Sequence, residues 1–178
     1  MELSKRKNNR LPNYDYSLAG AYFVTICTEN RKRLFWKNNV NGTHPVGAIH
    51  ESPVAAFNAS LSEYGKIADS VIRQLPERFG IDICGYVIMP NHIHLLIFID
   101  NNDLRAIRES PLQGRSKLSK IVGYFKMNVS KCVHSTGYEG NIWQRSFYDH
   151  IIRNDEDLLR HMQYIEENPK KWENDEYY

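Results

Sequence analysis

Residues 81–99 read IDICGYVIMPNHIHLLIFI, and the fold prediction starts from this stretch. Two strongly apolar runs, 83–89 and 95–99, flank the segment Pro90-Asn91-His92-Ile93-His94. Short apolar runs rich in β-branched residues predict strands, and a Pro-Asn pair between them predicts a tight connection. We therefore predict strands over 81–89 and 92–99, paired as an antiparallel hairpin at one edge of a sheet.

The remaining elements extend outward from this hairpin. Residues 21–28 (AYFVTICT) predict a strand, and the apolar stripe of 61–75 predicts a helix that Pro76 ends. A second helix is predicted over 117–134, a strand from about 146 to 152, and a last helix from the N-cap Asn154 to about 167, before Pro169. The first six elements follow the βαββαβ order of a ferredoxin-like α+β fold, an antiparallel sheet with helices on one face, here followed by a C-terminal helix over 154–168.

Size and composition fit one globular domain spanning 1–178. Residues 1–20 predict an irregular basic arm, and 37–60 and 101–115 predict long loops that share a near-repeat, AIHESP and AIRESP, of no evident physical meaning. No apolar run approaches the roughly 20 residues that span a bilayer, and no signal peptide follows the basic N-terminus, so we expect no membrane partner. Three well-separated cysteines indicate reduced thiols in a cytoplasmic protein.

The net charge of +2 hides two basic regions. Residues 1–37 hold eight Lys or Arg against three acids, and residues 115–131 hold five basic residues and no acid, whereas 154–178 are acidic. Two basic regions in a nearly neutral chain favour a polyanionic partner, although a solvated surface gives the same pattern.

His92 and His94 are two residues apart in a predicted strand, so both side chains project from the same face. Two imidazoles at that spacing can share one divalent cation. The alternative is a pair of ordinary strand histidines. Asp149 and His150 are neighbours in a strand and face opposite ways, so we interpret them as structural.

The last helix carries a second group of chemically useful residues. Leu158, Met162 and Ile165 form an apolar face, and another face carries Asp157, His161, Tyr164 and Asn168. A tyrosine can act as a nucleophile when a metal polarises its target, and Asn168 could complete a ligand set begun by the two histidines. A mixed nitrogen and oxygen set with open positions suits Mg²⁺ or Mn²⁺. Alternatively, Tyr164 is a half-buried aromatic, Asn168 caps the helix, and His161 either tunes Tyr164 or merely lies beside it.

These motifs together resemble a known family. The segment 90–94, with Tyr86 and Met89 before it, resembles the His-hydrophobe-His motif of the single-tyrosine HUH transposases, and Tyr164-Ile165-x-x-Asn168-Pro169 resembles their catalytic helix. The stretches 14–17, 22–28 and 143–150, with Arg153, are similar to the REP-associated tyrosine transposases in particular. The resemblance runs in order from about residue 10 to 172.

The resemblance implies a function and a role for each matching residue. Tyr164 would attack a phosphodiester of single-stranded DNA and leave a 5′-phosphotyrosine and a 3′-OH. His92 and His94, with Asn168 as third ligand, would hold Mg²⁺ or Mn²⁺. Transesterification conserves the bond energy, which agrees with the absence of a nucleotide-binding P-loop motif from the sequence. The expected partner is single-stranded DNA with hairpins formed by palindromic repeats, bound by a monomer or a homodimer.

Candidate DNA contacts come from charge and aromatic character. The lysines of the second helix, Lys117, Lys120 and Lys126 among them, could follow a phosphate backbone. Trp143, Gln144 and Arg145 could stack on or recognise bases, and Arg31 and Arg33 could do either. Trp143 is equally interpretable as a core residue.

Two other functions fit the same residues. The protein could bind DNA hairpins on this fold with an inactive site, or it could be a metal phosphoesterase that uses water while Tyr164 is structural. The sequence does not specify the DNA sequence recognised, the metal used in the cell, or whether transposition still occurs.

Overall fold

The protein is described here from a computed structural model that covers residues 19–37, 61–100, 116–169 and Trp172. Most of the predicted basic arm, the loops predicted over 37–60 and 101–115, and the repeated AI(H/R)ESP segments lie outside these residues. Within them the order is β1 (Gly20–Cys27), α1 (Glu63–Phe79), β2 (Ile81–Ile88), β3 (His92–Ile99), α2 (Lys117–Ser135), β4 (Tyr148–Ile152) and α3 (Asp155–Glu167). A short 3-10 turn, Glu29–Arg31, follows β1.

The four strands form one antiparallel sheet in the order β2-β3-β1-β4. This is the strand order of the ferredoxin-like fold, so the predicted fold class is confirmed. The β2–β3 hairpin lies at one edge, as predicted, and β3 is an inner strand. The register of β1 against β3 places Thr25 opposite His94 and Cys27 opposite His92.

The two faces of the sheet are covered by different helices. Ile93, Leu95 and Ile97 of β3 belong to the large core formed with α1 and α2. Leu96, and with it His92 and His94 by alternation, faces the opposite side, where Ile165 of α3 packs in a smaller apolar cluster. Because both faces of β3 are covered, the strand is an almost uninterrupted apolar run, apart from the histidines.

Helix α1 continues past Pro76, so the prediction that proline ends it was wrong. Pro76 lies in the last turn, where its missing N–H removes a single hydrogen bond. The carbonyl of Pro76 accepts a hydrogen bond from the N–H of Gly80, which ends the helix in the left-handed conformation. The buried Leu75, and Phe79 packed against Tyr124, anchor the turns on both sides of the proline.

The segment 34–36 supports the connection between β2 and β3. The N–H groups of Leu34 and Phe35 both donate to the carbonyl of Pro90, at 2.8 and 3.1 Å. The indole N–H of Trp36 donates to the carbonyl of Ile88 at 2.7 Å. This segment in turn rests on the start of α1, where Ser62 donates its N–H to the carbonyl of Phe35 and its hydroxyl to that of Leu34. Pro90, two residues before His92, is therefore held by a chain of hydrogen bonds that begins at Ser62, the N-cap of α1.

Candidate active site

The two histidines of β3 lie together beneath α3. His92 and His94 are 0% and 1% exposed, and their Nε2 atoms are 3.0 Å apart. The predicted side-by-side arrangement is therefore present in the structure.

Each histidine is oriented by a neighbour through its other ring nitrogen. Nδ1 of His92 lies 2.8 Å from Oδ1 of Asn91. An amide oxygen only accepts, so Nδ1 carries the proton and Nε2 of His92 offers its lone pair. Nδ1 of His94 lies 2.9 Å from the hydroxyl of Thr25, which can donate or accept and so permits either tautomer. Such outer hydrogen bonds are typical of metal-ligating histidines.

Burial keeps both imidazoles neutral. It lowers the pKa of His92 to about 3, and the positive charge of Arg31 adds to this effect. Burial, with smaller contributions from His92 and His161, also holds the pKa of His94 well below its usual value. Neutral imidazoles are the form that binds a metal ion, so the pair is ready for one across the physiological pH range.

The donor set fits a divalent cation. Two nitrogens bound at about 2.1 Å with a right angle between them stand about 3.0 Å apart, which is the separation of the two Nε2 atoms. Asn168, at the end of α3, is 3% exposed, and its Oδ1 is buried without a hydrogen-bond partner among the described residues. An unsatisfied buried oxygen of this kind costs about 1–3 kcal/mol, and a cation would satisfy it. The residues present are thus compatible with Mg²⁺ or Mn²⁺.

Tyr164 is placed against the histidine pair, as the family resemblance implied. Its ring lies edge-on to that of His94, with centroids 5.2 Å apart, and it is 38% exposed. Phe23 of β1 supports this arrangement because its ring stacks on His94 at 5.0 Å and meets Tyr164 at 5.9 Å. The hydroxyl-bearing residue is therefore held beside the candidate metal ligands while part of its surface faces solvent.

A second polar cluster adjoins this site at the start of α3. Asp157 accepts a hydrogen bond from Nε2 of His150 at 2.8 Å, and its other oxygen lies 3.3 Å from Nδ1 of His161. The two imidazoles stack with centroids 4.8 Å apart. His150 thus pairs with the helix rather than with its strand neighbour Asp149. The three side chains each place a ligand atom within 4.8 Å of the others, so they are also a group that could hold a metal ion.

Several of the predicted DNA contacts gather at the end of the sheet where His92 lies. Arg31 and Arg33 are exposed in the segment that follows β1, and the Arg33 guanidinium lies 5.6 Å from the ring of Trp172, which covers His92. The segment 143–145 lies beside them, because Trp143 forms a β-bridge with Thr28 and the N–H of Gln144 donates to the carbonyl of Cys27. Arg145 is exposed.

Trp143 has the contacts of a core residue, which was the alternative interpretation of it. Its ring packs against Phe35 and Phe125 at 5.4 and 5.5 Å, and its indole N–H donates to the carbonyl of Lys126. Base stacking by Trp143 stays a prediction. The main chain of Gln144, by contrast, is held close to the site end of β1.

The lysines of α2 are spread along the other face of the sheet. The ammonium of Lys117 lies near the carbonyl of Gly80, which precedes Ile81, the partner of Ile99 at the far end of β3. At about 3.3 Å per strand residue, that end of β3 is roughly 23 Å from His92. Lys120 is exposed. Lys126 donates to the carbonyls of Gln144 and Ser146 at 2.8 Å each, and burial lowers its pKa to about 8. Lys126 is therefore a support of the 144–146 segment, and its contact with DNA stays a prediction.

The sequence interpretation missed three residues that shape the site, Phe23, Thr25 and Asn91, and one contact, between Asp157 and His150. Asn91 could have been found, since it immediately precedes His92. Thr25 and Phe23 give no local signal, because their role depends on the register of β1 against β3. Asp157 was assigned to the correct helix face, but its contact with His150 depends on how β4 meets α3.

Among the helices within the described ranges, none is both long and apolar enough to cross a membrane.

Comparison with known proteins identifies relatives along most of the chain. A Haemophilus influenzae protein of undescribed function is 32% identical over 97% of this chain and 93% of its own length. Another protein of that organism, assigned as a REP-associated tyrosine transposase, is 31% identical over 90% of this chain and 77% of its own length. Among solved structures, a REP-associated tyrosine transposase bound to a REP hairpin is similar over 92% of this chain and 74% of that protein's chain. The TM-score is 0.54 at 20% sequence identity, which supports the fold. No protein-family model matches the chain.

Proposed function

Because the chain belongs to the REP-associated tyrosine transposases, we propose that it is a metal-dependent enzyme that cleaves and rejoins single-stranded DNA at hairpins. The observation that carries this proposal is the contact between the rings of Tyr164 and His94, 5.2 Å apart across the interface of α3 and β3. It joins a nucleophile of the right type to the candidate metal ligands.

His92, His94 and Asn168 would hold the cation. When bound, Mg²⁺ or Mn²⁺ would polarise the scissile phosphate and neutralise its charge. The Tyr164 oxygen attacks phosphorus and forms the new P–O bond, the bond to the 3′-oxygen breaks, and that oxygen leaves as a 3′-OH. The product is a 5′-phosphotyrosine, which a 3′-OH can attack in the reverse reaction. All these groups come from one chain, so a monomer would be sufficient for the proposed site.

The DNA would enter at the end of the sheet where His92 lies. Arg31, Arg33 and Arg145 are exposed there and offer positive charge to phosphates. Lys117 and Lys120 lie further off and would contact only a longer or folded substrate, such as a hairpin stem. The solved relative is bound to a REP hairpin, and this chain is proposed to bind a hairpin as well. A DNA substrate also makes the cytoplasm the expected location.

The proposal is tested with a labelled hairpin oligonucleotide that has single-stranded flanks, with Mg²⁺ or Mn²⁺. A covalent protein–DNA adduct is expected with the wild type and absent in Tyr164→Phe. The matched control is Tyr148→Phe, which removes the hydroxyl of another exposed tyrosine, 46% exposed on β4, and should keep the adduct. Cleavage without an adduct would instead indicate a phosphoesterase that uses water, and binding without cleavage would indicate a DNA-binding protein.

A His92→Ala/His94→Ala double variant tests the metal ligands separately. It should keep hairpin binding and lose both cleavage and metal-dependent stabilisation. Loss of folding in this variant would mean that the pair is structural, and circular dichroism makes that distinction.

A further inference from the structure

His161 lies one turn before Tyr164 on α3 and is held at one end by Asp157. Its Nδ1 is 2.8 Å from the main-chain carbonyl of Asp157 and 3.3 Å from the side-chain Oδ1 of the same residue. The proposed function leaves this imidazole unused. It is partly buried, with 17% of its side chain exposed, so it is neither sealed in the core nor fully hydrated.

The carbonyl contact fixes which nitrogen carries the proton. A main-chain carbonyl can only accept a hydrogen bond, so Nδ1 of the neutral ring must be the donor. The lone pair is therefore on Nε2, at the other side of the ring. A histidine whose Nδ1–H is held by an oxygen beside a carboxylate has the arrangement of a general base.

The helix brings this ring close to Tyr164. Residues three apart share a helix face with Cβ atoms about 5–6 Å apart, and a helical side chain leans toward the preceding turn. The ring of Tyr164 therefore leans over the turn that carries His161. Both rings also pack against Phe23, whose ring centroid lies 4.6 Å from that of His161 and 5.9 Å from that of Tyr164.

The charged groups around His161 come from three elements. Asp157 and Arg160 lie on its own helix, His150 stacks on it from β4, and His94 acts on it from β3, while β1 contributes the apolar Phe23. The hydrogen bond from His150 is the largest of the effects that lower the pKa of Asp157. Asp157 is thus a carboxylate at neutral pH and favours a positive charge on the imidazole beside it.

On the basis of the proposed function, we infer that His161 is the proton-transfer partner of Tyr164 and that Asp157 is its positioning residue. As the tyrosine oxygen bonds to phosphorus, its O–H bond breaks and the proton passes to Nε2 of His161. The imidazolium is stabilised by Asp157, and its proton then goes to the departing 3′-oxygen, which becomes the 3′-OH. In rejoining, the same proton moves in the opposite direction, so no external acid or base is consumed.

The test measures the rate of adduct formation as a function of pH in the full chain. His161→Ala should form the adduct about 10²-fold more slowly, the lower end of the usual contribution of a general base. The dependence of its rate on pH should be weaker than that of the wild type, and added imidazole should restore part of the rate. His134→Ala, a histidine substitution at the exposed end of α2, is the matched control and should behave as the wild type.

Binding measurements separate proton transfer from other roles of His161. His161→Ala should keep hairpin affinity and the number of divalent ions bound. An unchanged pH profile without imidazole rescue would overturn the inference in favour of a structural role. Loss of one bound ion would overturn it in favour of metal ligation by the His150, Asp157 and His161 cluster.

Asp157→Asn gives a graded result. The main-chain carbonyl still fixes the tautomer of His161 in this variant, so the rate of adduct formation should fall less than in His161→Ala. The dependence of that rate on pH should change, because the carboxylate charge that stabilises the imidazolium is gone. A loss equal to that of His161→Ala, with an unmoved pH profile, would contradict the role given to Asp157. If the wild type itself forms no adduct that Tyr164→Phe removes, the proposed function fails; if it does and His161→Ala is unaffected, only this inference fails.

Discussion

Gly65, in the first turn of α1, offers a sharp test of how the fold supports the site. A Cβ at Gly65 would lie 2.2 Å from the carbonyl oxygen of Phe35 and 3.0 Å from a methyl group of Leu61. Gly123 of α2 provides the matched case, because a Cβ there meets nothing within 4 Å. Both glycines are inside helices, so replacement by alanine changes helix propensity equally at the two positions.

The structure predicts opposite signs for the two substitutions. Gly123→Ala should raise the free energy of unfolding by about 1 kcal/mol, the usual gain of alanine over glycine in a helix. Gly65→Ala receives the same gain but forces the main chain of Phe35 to move, and overpacking of this kind costs about 1–3 kcal/mol. Weakening of the hydrogen bond from the N–H of Ser62 to the same carbonyl, at 2.8 Å, adds about 1 kcal/mol. The net loss for Gly65→Ala is then about 2 kcal/mol.

The displacement of Phe35 should reach the candidate metal ligands. The N–H groups of Leu34 and Phe35 hold the Pro90 carbonyl, two residues before His92. Urea unfolding with and without Mn²⁺ measures both effects: Gly65→Ala should be less stable and gain less from the metal, while Gly123→Ala should be more stable and gain as much as the wild type. A Gly65→Ala protein as stable as the wild type would refute the packing argument. A destabilised one with unaltered metal stabilisation would refute the coupling to the site.

Three further predictions concern the site and its surroundings. Phe23→Leu keeps the side chain apolar but removes the ring contacts with His94 and Tyr164. The rate of adduct formation should fall at least tenfold, while the free energy of unfolding should fall by about 1 kcal/mol. A loss of rate no larger than the loss of folded protein explains would argue against a positioning role. Asn168→Leu removes a buried oxygen that has no hydrogen-bond partner among the described residues, so the thermal stability without metal should be equal or higher and the rise in stability with Mn²⁺ should be smaller. An unchanged rise would exclude Asn168 as a ligand. Burial and the hydrogen bond to Asp69 raise the pKa of Tyr86 to about 12. Because this folded pKa lies above the unfolded value, the free energy of unfolding should fall by about 1 kcal/mol as pH rises from 10 to 12, after allowance for partial exposure. Urea unfolding of Tyr86→Phe should show a shallower decline over the same pH range.

Much of the fold could be predicted because local patterns dominate in these elements. The bounds of β3 were predicted without error, since both faces of this strand are buried and its apolar run is continuous. The last helix was also predicted closely, because Asn154 caps it through the N–H of Asp157 and Pro169 follows its end. The error at Pro76 arose because the cost of a proline depends on its distance from the helix end and on the packing of its neighbours, which the sequence does not reveal.

The candidate site could be predicted only in its parts. Helical and strand spacing placed Tyr164 with Asn168, and His92 with His94, on common faces. That the two faces meet depends on the long-range packing of α3 against β3, which only the family resemblance suggested beforehand. The residues that orient the pair, Thr25 above all, come from cross-strand register, and no single strand encodes that information.

The position of α3 explains why the site tolerates two buried histidines at all. Placing neutral imidazoles in an apolar interior is favourable only when their nitrogens are hydrogen-bonded or bind a ligand. Thr25 and Asn91 satisfy one nitrogen of each ring, and the remaining two point toward one another at 3.0 Å. In the absence of a cation that pair can share only a single proton. A cation held as proposed by His92, His94 and Asn168 would satisfy both lone pairs and the Oδ1 of Asn168, which has no hydrogen-bond partner among the described residues. Under the proposed function, a single ion would thus satisfy polar atoms of the strand and of the helix at the same time.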